Sequence, residues 1–194
     1  VSPGFCVPGT TPARWAVPIG DQYYGTVMTL SVMSEPSGVD FSGMTIAWTG
    51  ADVDPDDSVY AYRDRTTAGA ANVGVQVTDE DAETSSAAAE VVVVAIDRIA
   101  SDDANLVEAE TGNSANAVTG VSSDPATVAV RAVVTPTVPD VSSVYNKLIV
   151  WGGTSGEVGS TANRYLLPRD EAKRMPVTAR IGASFDTLDV WAVR

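Results

Sequence analysis

The sequence has 194 residues, no histidine, 12 Lys and Arg, and 25 Asp and Glu, which give a formal net charge of −13. A surface this acidic repels the phosphates of nucleic acids and anionic membranes, so we expect neither as a partner. The absence of histidine excludes histidine-dependent serine or cysteine catalysis and histidine-ligated zinc. The single cysteine, Cys6, excludes an intramolecular disulfide, and we interpret it as a small apolar contact. No run of about 18 apolar residues and no basic, apolar leader is present, so we expect neither a membrane-spanning helix nor a signal peptide.

The first 20 residues are rich in proline and glycine. This composition predicts an extended arm over residues 1–20 rather than a helix or a central strand. The arm carries apolar side chains that a free linker does not need: Phe5, Val7, Trp15, Val17 and Ile19. We therefore expect these residues to form an interface, either with the protein's own domain or with a neighbouring subunit.

Beyond residue 25, apolar residues alternate with polar ones, a period typical of half-buried strands. The alternating segments are 44–49, 73–77, 127–134 and 187–192. The runs at 91–96 and 148–151 are continuously apolar, which predicts central strands covered on both faces. Turn-forming residues separate the segments, and we see no internal repeat. Residues 21–194 are therefore predicted to form one domain, an antiparallel β-sandwich or jelly roll.

Two segments depart from this pattern. Residues 168–175 begin with proline, carry acidic residues early and basic residues late, and so predict one short helix. Residues 79–90 fit a helical turn and a solvated loop equally well.

An acidic loop is the one candidate metal site. Its four spaced carboxylates are the oxygen ligands that Ca²⁺ prefers: Asp52, Asp54, Asp56 and Asp57. Counted from Asp52, an EF-hand would need glycine at the position of Asp57 and glutamate at that of Arg63. We therefore predict a solvated turn in which aspartates cap their own backbone, with a non-EF calcium site as the alternative. No cofactor is expected, and no pair of carboxylates stands out for acid–base catalysis, so we expect a protein that is not an enzyme.

The aromatic residues divide into two groups. Trp48 and Trp151 lie among apolar neighbours and are predicted to be in the core. Trp191 falls on the strand face opposite Leu188 and Val190, and Tyr60 and Tyr62 share a face. Exposed aromatic side chains stack on sugars or contact other subunits. Because no polar cluster lies near them in sequence, we favour subunit contact for Trp191.

The order of segments from about residue 20 to residue 152 resembles a β-sandwich module of tailed-phage structural proteins and some bacterial surface proteins. The resemblance rests on GDQYYGTVMTLSV, GMTIAWTG, VYAYRDRT and EVVVVAIDRIASDD, followed by VAVRAVVTP and KLIVWGG. It implies a structural role on a virion or cell surface and gives no functional residues.

Together these observations predict a virion structural protein of a tailed phage, displayed on the particle surface, with an extracellular location as the alternative. The most specific form of this prediction is a capsid decoration or cement protein. It would be a homo-oligomer that docks on the major capsid protein through its N-terminal arm. The rival hypothesis is a glycan-binding adhesin or tail-fibre receptor-binding module.

Overall fold

The structure is a computed structural model that describes residues 5–7, 11–34, 37–111, 114–136, 148–161 and 163–194. Its strands are β1 Phe5–Val7, β2 Ala13–Pro18, β3 Val27–Ser31, β4 Thr45–Thr49, β5 Asp52–Val53, β6 Tyr60–Asp64, β7 Gly69–Thr78, β8 Thr84–Ser101, β9 Leu106–Thr111, β10 Ser114–Gly120, β11 Thr127–Thr135, β12 Val150–Gly153, β13 Glu157–Val158, β14 Arg164–Pro168, β15 Lys173–Ile181 and β16 Ser184–Val193. The predicted all-β fold with antiparallel sheets is confirmed. No helix in the described part of the chain is both long and apolar enough to cross a membrane.

The strands form two compact units, Val1–Val93 and Val94–Arg194. The sequence predicts a single sandwich over 21–194, and the structure corrects this to two. Residues 84–93 of strand β8 belong to the first unit, and residues 94–101 belong to the second. The alternating pattern does not reveal this boundary, because β8 runs through it without a turn signal.

The first unit packs one sheet, with the order β1-β2-β8-β7-β4, against a second with the order β3-β6-β5. Its buried cluster consists of Val17, Val73, Val91 and Val93. Partly buried residues pack against this cluster: Ile19, Met28, Leu30, Trp48 and Ala51. The core therefore includes side chains from both sheets, as a sandwich requires.

The second unit packs a sheet with the order β12-β15-β16-β10-β9 against one with the order β8-β11-β14-β13. Alternate residues of β14, β15 and β16 are buried, which is the pattern of a strand with one face on the core. Fully buried members include Val128, Val130, Leu167, Met175, Val177, Leu188 and Val190. This core is larger and more completely buried than that of the first unit.

The two units share one topology, which makes the chain an internal structural repeat. Strands β1, β2, β8, β7 and β4 occupy the same order in the first unit as β9, β10, β16, β15 and β12 in the second, and β3-β6-β5 corresponds to β11-β14-β13. The expectation of no internal repeat is therefore wrong. The two units differ in sequence but share this strand order and a few anchoring residues.

One anchor is a buried arginine, which we call the corner arginine. In the first unit it is Arg65, 2% exposed, which follows β6. Its guanidinium donates to the carbonyls of Gly25 at 3.0 Å and Pro18 at 3.2 Å, and to that of Tyr24. Its backbone N–H donates to the carbonyl of Thr26 at 2.9 Å. The residue thus joins the end of β2 to the start of β3.

In the second unit the corner arginine is Arg169, 5% exposed, which follows β14. Its Nε donates to the carbonyl of Pro125 at 2.9 Å, and Nη1 contacts the Thr119 hydroxyl at 3.3 Å and the Gly120 carbonyl at 3.5 Å. Its backbone N–H donates to the carbonyl of Ala126 at 2.8 Å. Three roles therefore recur, namely the Nε bond, the Nη1 bond to a main-chain carbonyl and the backbone N–H bond, and they align Gly25 with Pro125, Pro18 with Gly120 and Thr26 with Ala126.

A second anchor is a tryptophan followed two residues later by glycine. Trp48 pairs with Val75 in the first unit, and Trp151 pairs with Ala179 in the second. Gly50 and Gly153 both have positive φ, and an added Cβ would lie 2.2 Å from a carbonyl oxygen of the neighbouring strand in each case. Both tryptophans are half-buried rather than fully in the core.

The predicted helix at 168–175 is wrong. Pro168 ends β14, and the strand β15 already begins at Lys173. From Met175 to Ile181 alternate side chains are fully buried, and the strand pairs with β16 along its whole length. This non-local burial outweighs the local signals for a helix start, and Pro176 could not continue a helix in any case.

The predicted extended arm is also wrong for its second half. Strand β2 lies between β1 and β8 in its sheet, and Ala16 and Val17 are buried. The prolines do not interrupt the ladder, because Pro12 precedes β2 and Pro18 is its last residue. Residues 13–18 therefore belong to the first sandwich.

Of the two apolar runs, one is confirmed as a central strand and the other is not. All six residues of 91–96 are buried in β8. By contrast, β12 is an edge strand, and Val150 is 64% exposed.

Candidate functional site

The acidic loop is folded around its own hydrogen bonds. Asp54 accepts from the Tyr62 hydroxyl at 2.5 Å and from the backbone N–H of Asp56 at 2.9 Å. Asp57 accepts from the backbone N–H of Val59 at 3.0 Å. The geometry is the self-capped turn that the sequence predicts.

These bonds set the electrostatics of the loop. The Tyr62 hydroxyl, together with the Asp56 N–H, holds the pKa of Asp54 below its usual value, and the same carboxylate raises the pKa of Tyr62. Across the described residues no three carboxylate or cysteine side chains are grouped so as to hold a metal ion. The calcium alternative for Asp52, Asp54, Asp56 and Asp57 therefore has no preformed ligand cluster in this structure.

The predicted interface residues do not form one surface. Phe5 and Val7 lie in β1, and their side chains fall outside the described residues. Val17 is 4% exposed, and Ile19 packs against the first unit's core. Trp15 is different, because it is 41% exposed. The arm thus offers Trp15 as its one described side chain with a large exposed apolar surface.

Trp191 lies on the outer face of β16 in the second unit, as the alternation predicts. It is 42% exposed, and the guanidinium of Arg174 lies 5.8 Å from its ring centroid. Arg174 also bonds Asp189 at 2.6 Å, which raises the pKa of the arginine. The pair covers part of the indole, and the role of Trp191 in a subunit contact stays a prediction.

One concave feature of the first unit is an apolar cleft between its two sheets, which we call the β3 cleft. One side is the whole of Val27–Ser31, and the other is formed by β7 and β8 and includes Val75, Ala87 and Ala89. Its volume is about 530 Å³, and Trp15 and Arg65 also line it. Among its described lining residues only Arg65 is charged, in a chain of net charge −13.

Sequence reasoning missed the β3 cleft because it depends on pairing between distant strands. Met28 and Leu30 alternate as core residues should, and nothing local shows that they are only half-buried. The repeat did leave a signal that could have been found. A Trp-x-Gly followed 15 or 16 residues later by arginine occurs twice, as Trp48, Gly50 and Arg65 and as Trp151, Gly153 and Arg169.

Comparison with known proteins gives likenesses in structure but none in sequence. No family model matches the chain, and no curated protein matches it. The D00-D0 domain of intimin is 11% identical, with 92% of this chain and 96% of that one covered and a TM-score of 0.39. The fibronectin(III)-like modules of Clostridium thermocellum CbhA are 13% identical, with 91% and 89% covered and a TM-score of 0.34.

A third likeness is to immunoglobulin domains 1–4 of Sidekick-1, at 10% identity and a TM-score of 0.30. It covers 97% of this chain and 51% of the other, so the chain spans about half of that structure. At these identities and TM-scores the neighbours do not identify a family. The resemblance to tailed-phage modules stays a prediction.

Proposed function

We propose that this chain is a non-enzymatic structural protein of tandem β-sandwich modules that works by association at a virion or other extracellular surface. In its most specific form it is a tailed-phage virion protein, such as a capsid decoration protein that contacts the major capsid protein. The observation that carries the proposal is the internal repeat, in which one sandwich topology and its corner arginine occur twice in 194 residues.

Two further features support association rather than chemistry. The acidic side chains of the first unit's loops cap their own backbone, as Asp54, Asp57 and Asp79 do, which gives rigid and hydrated turns. Large apolar side chains are exposed on strands, among them Trp15 and Trp191. Hydrated acidic loops and a few exposed aromatic residues suit a protein held in many copies at a surface.

The position of residues 13–18 in the fold changes which residues are proposed to dock. Residues 13–18 are a strand of the first sheet, so their removal would expose the cluster around Val17 rather than free a separate arm. Docking is therefore proposed for exposed side chains such as Trp15 and Trp191, within an intact fold.

Mass spectrometry of purified particles from the source culture tests this proposal. We expect the chain in a fixed ratio to the major capsid protein, at tens to hundreds of copies per particle. Its absence from purified particles would contradict the virion role. A recombinant Trp191→Ala chain, compared with Trp15→Ala and the unaltered chain, then shows which face binds depleted particles.

A glycan-binding adhesin is the second candidate, favoured by the exposed Trp15 beside an open cleft. A glycan array with and without chelator separates the two candidates. Reproducible sugar binding that Trp15→Ala abolishes would favour the adhesin, and chelator sensitivity would implicate a metal ion. Binding to particles without sugar binding would favour the virion role.

A further inference from the structure

The strand by which the chain enters the second unit is hydrogen-bonded to the strand by which it leaves. Residues 94–101 of β8, which we call the entry strand, continue directly from the first unit, and β16 is the last strand of the structure. The Ser184 hydroxyl accepts from the N–H of Ile96 at 3.0 Å and donates to the carbonyl of the same residue at 2.9 Å. Asp186 Oδ2 accepts from the N–H of Ile99 at 2.7 Å. Because β8 and β16 lie in different sheets, these three bonds join the two sheets of the unit.

The entry strand is also held by burial. Its register with β11 pairs Ile96 and Arg98 with consecutive residues of that strand, which leaves Asp97 as an extra residue. In a regular strand Ile96 and Ile99 would point to opposite faces, yet here they are only 6% and 3% exposed. Sliding the entry strand out of the unit would therefore expose both isoleucines as well as break the bonds to Ser184 and Asp186.

The entry strand and β16 run in the same direction. The bonds join Ile96 to Ser184 and Ile99 to Asp186, so the residue numbers rise together along the two strands. Strand β10, which lies beside β16, is parallel to it as well. The bonds to the entry strand lie at the start of β16, whereas the chain leaves the unit at Val193, at the other end of that strand.

This geometry determines how the second unit responds to tension along the chain. A pull on the residues before Val94 and after Val193 drags the entry strand and β16 past each other along their length. The hydrogen bonds between them lie across the direction of the pull, so they share the force and are not broken one after another, as they would be in peeling. The ladders that hold these strands to β11 and β15 are loaded in the same way, because ladder bonds are also perpendicular to the strands.

We propose that the second unit resists tension along the chain, and that Ser184 and Asp186 provide this resistance by joining the entry strand to β16. Asp186 contributes the stronger bond, because a hydrogen bond to a charged acceptor is about twice as strong as one between neutral groups. A chain that is anchored at one end and bound to a target at the other is under tension whenever the two are pulled apart. The inference goes beyond the proposed function and holds equally for a virion protein and for an adhesin.

Single-molecule pulling of the full chain with optical tweezers tests this proposal. Handles are attached at the two ends, and the unfolding of each unit is timed at constant force, which reports the unfolding rate. Asp186→Ala and Ser184→Ala should each speed one of the two unfolding events about tenfold or more and leave the other unchanged. The matched control is Thr187→Val in the same strand. It removes an outward-facing bond to Thr178 at 3.2 Å and should change the rate less than about threefold.

A second pulling direction separates resistance to tension from ordinary stabilisation. In a Cys6→Ser chain, Ser123→Cys and Ser155→Cys place the handles on two loops of the second unit, so that the force is applied to other strands. Here Asp186→Ala should change the unfolding rate less than about threefold, because the bonds of the entry strand are still intact when the unit gives way.

Two outcomes would overturn the proposal. One is an acceleration below about threefold for both Asp186→Ala and Ser184→Ala in end-to-end pulling. The other is an equal acceleration in the two directions, which would mean that the bonds stabilise the unit without a particular role under tension. If Asp186→Ala does not fold, Ser184→Ala measured in both directions gives the decision.

Discussion

The two corner arginines allow a paired prediction, and Arg65→Met is the substitution with the larger expected loss of stability. The substitution removes three hydrogen bonds from a charged donor to backbone carbonyls. Bonds of this kind each contribute about 1.5–3 kcal/mol, which sets an upper limit near 9 kcal/mol. Because methionine carries no charge, the substitution also removes the cost of burying the cation. This cost is several kcal/mol and offsets part of the loss. Tyr24 and Gly25 are exposed residues, so we expect their carbonyls to regain water and the net loss to be about 2–4 kcal/mol.

Hydrogen exchange measured by mass spectrometry on the full chain reports the opening free energy of each unit separately. Arg65→Met should lower that of the first unit and leave the second within about 0.5 kcal/mol. Arg169→Met should do the reverse with a smaller loss, because two of its three contacts are 3.3 and 3.5 Å long. Arg174→Met is the surface control and should cost less than about 1 kcal/mol. A loss below about 1 kcal/mol for Arg65→Met, or an equal loss in both units, would refute the reasoning.

Three further substitutions test the loop, a turn and the second core. Asp54 has a lowered pKa in the folded state, so its contribution to stability is present above its unfolded pKa of about 3.9 and is lost as the pH falls through the folded pKa. Tyr62→Phe should raise the pKa of Asp54 in an NMR titration and flatten the acid-dependent loss of stability; an unchanged pKa would contradict the assignment. Gly153→Ala places a Cβ 2.2 Å from a carbonyl oxygen and should destabilise by at least about 2 kcal/mol in urea unfolding, whereas Gly38→Ala, which meets no atom within 4 Å, should cost only the strain of its positive φ, about 1 kcal/mol. Val130→Ala removes two buried methyl groups and should cost the second unit about 2–3 kcal/mol by the same assay, and a value under about 1 kcal/mol would mean that this core can collapse around the gap.

The strand content could be predicted from sequence because the alternation of side chains is a local property. Residues 73–77, 91–96, 127–134 and 187–192 all lie in strands of the structure. The depth of burial could not be predicted in the same way. Residues 148–151 are as apolar as 91–96, yet β12 lies at a sheet edge because of the strands that pair around it. Whether a strand lies at the edge or in the centre of a sheet depends on the strands that pair with it, and the sequence of a single segment does not encode that pairing.

The same distinction, between local alternation and pairing of distant strands, applies to the residues of the candidate site. The exposure of Trp191 follows from its position relative to Leu188 and Val190, and it is confirmed. Val17 has the same apolar character as Trp15 and lies on the same face of β2, but Val17 packs in the buried cluster with Val73, Val91 and Val93, whereas Trp15 is 41% exposed. The β3 cleft combines residues from Trp15 to Val91, which are 76 positions apart in the chain, so its existence depends wholly on tertiary structure.

The corner arginines bear on how such a repeat can diverge in sequence. Most of their acceptors are main-chain carbonyls, at Pro18, Tyr24 and Gly25 in one unit and at Gly120 and Pro125 in the other. Every residue type supplies a carbonyl, so side-chain substitutions at these positions leave the acceptor in place. A salt bridge, by contrast, can be lost through a mutation in either partner. In each unit the arginine is therefore the one side chain on which these main-chain bonds depend, and the sequences that supply the carbonyls can differ between the units, as they do here.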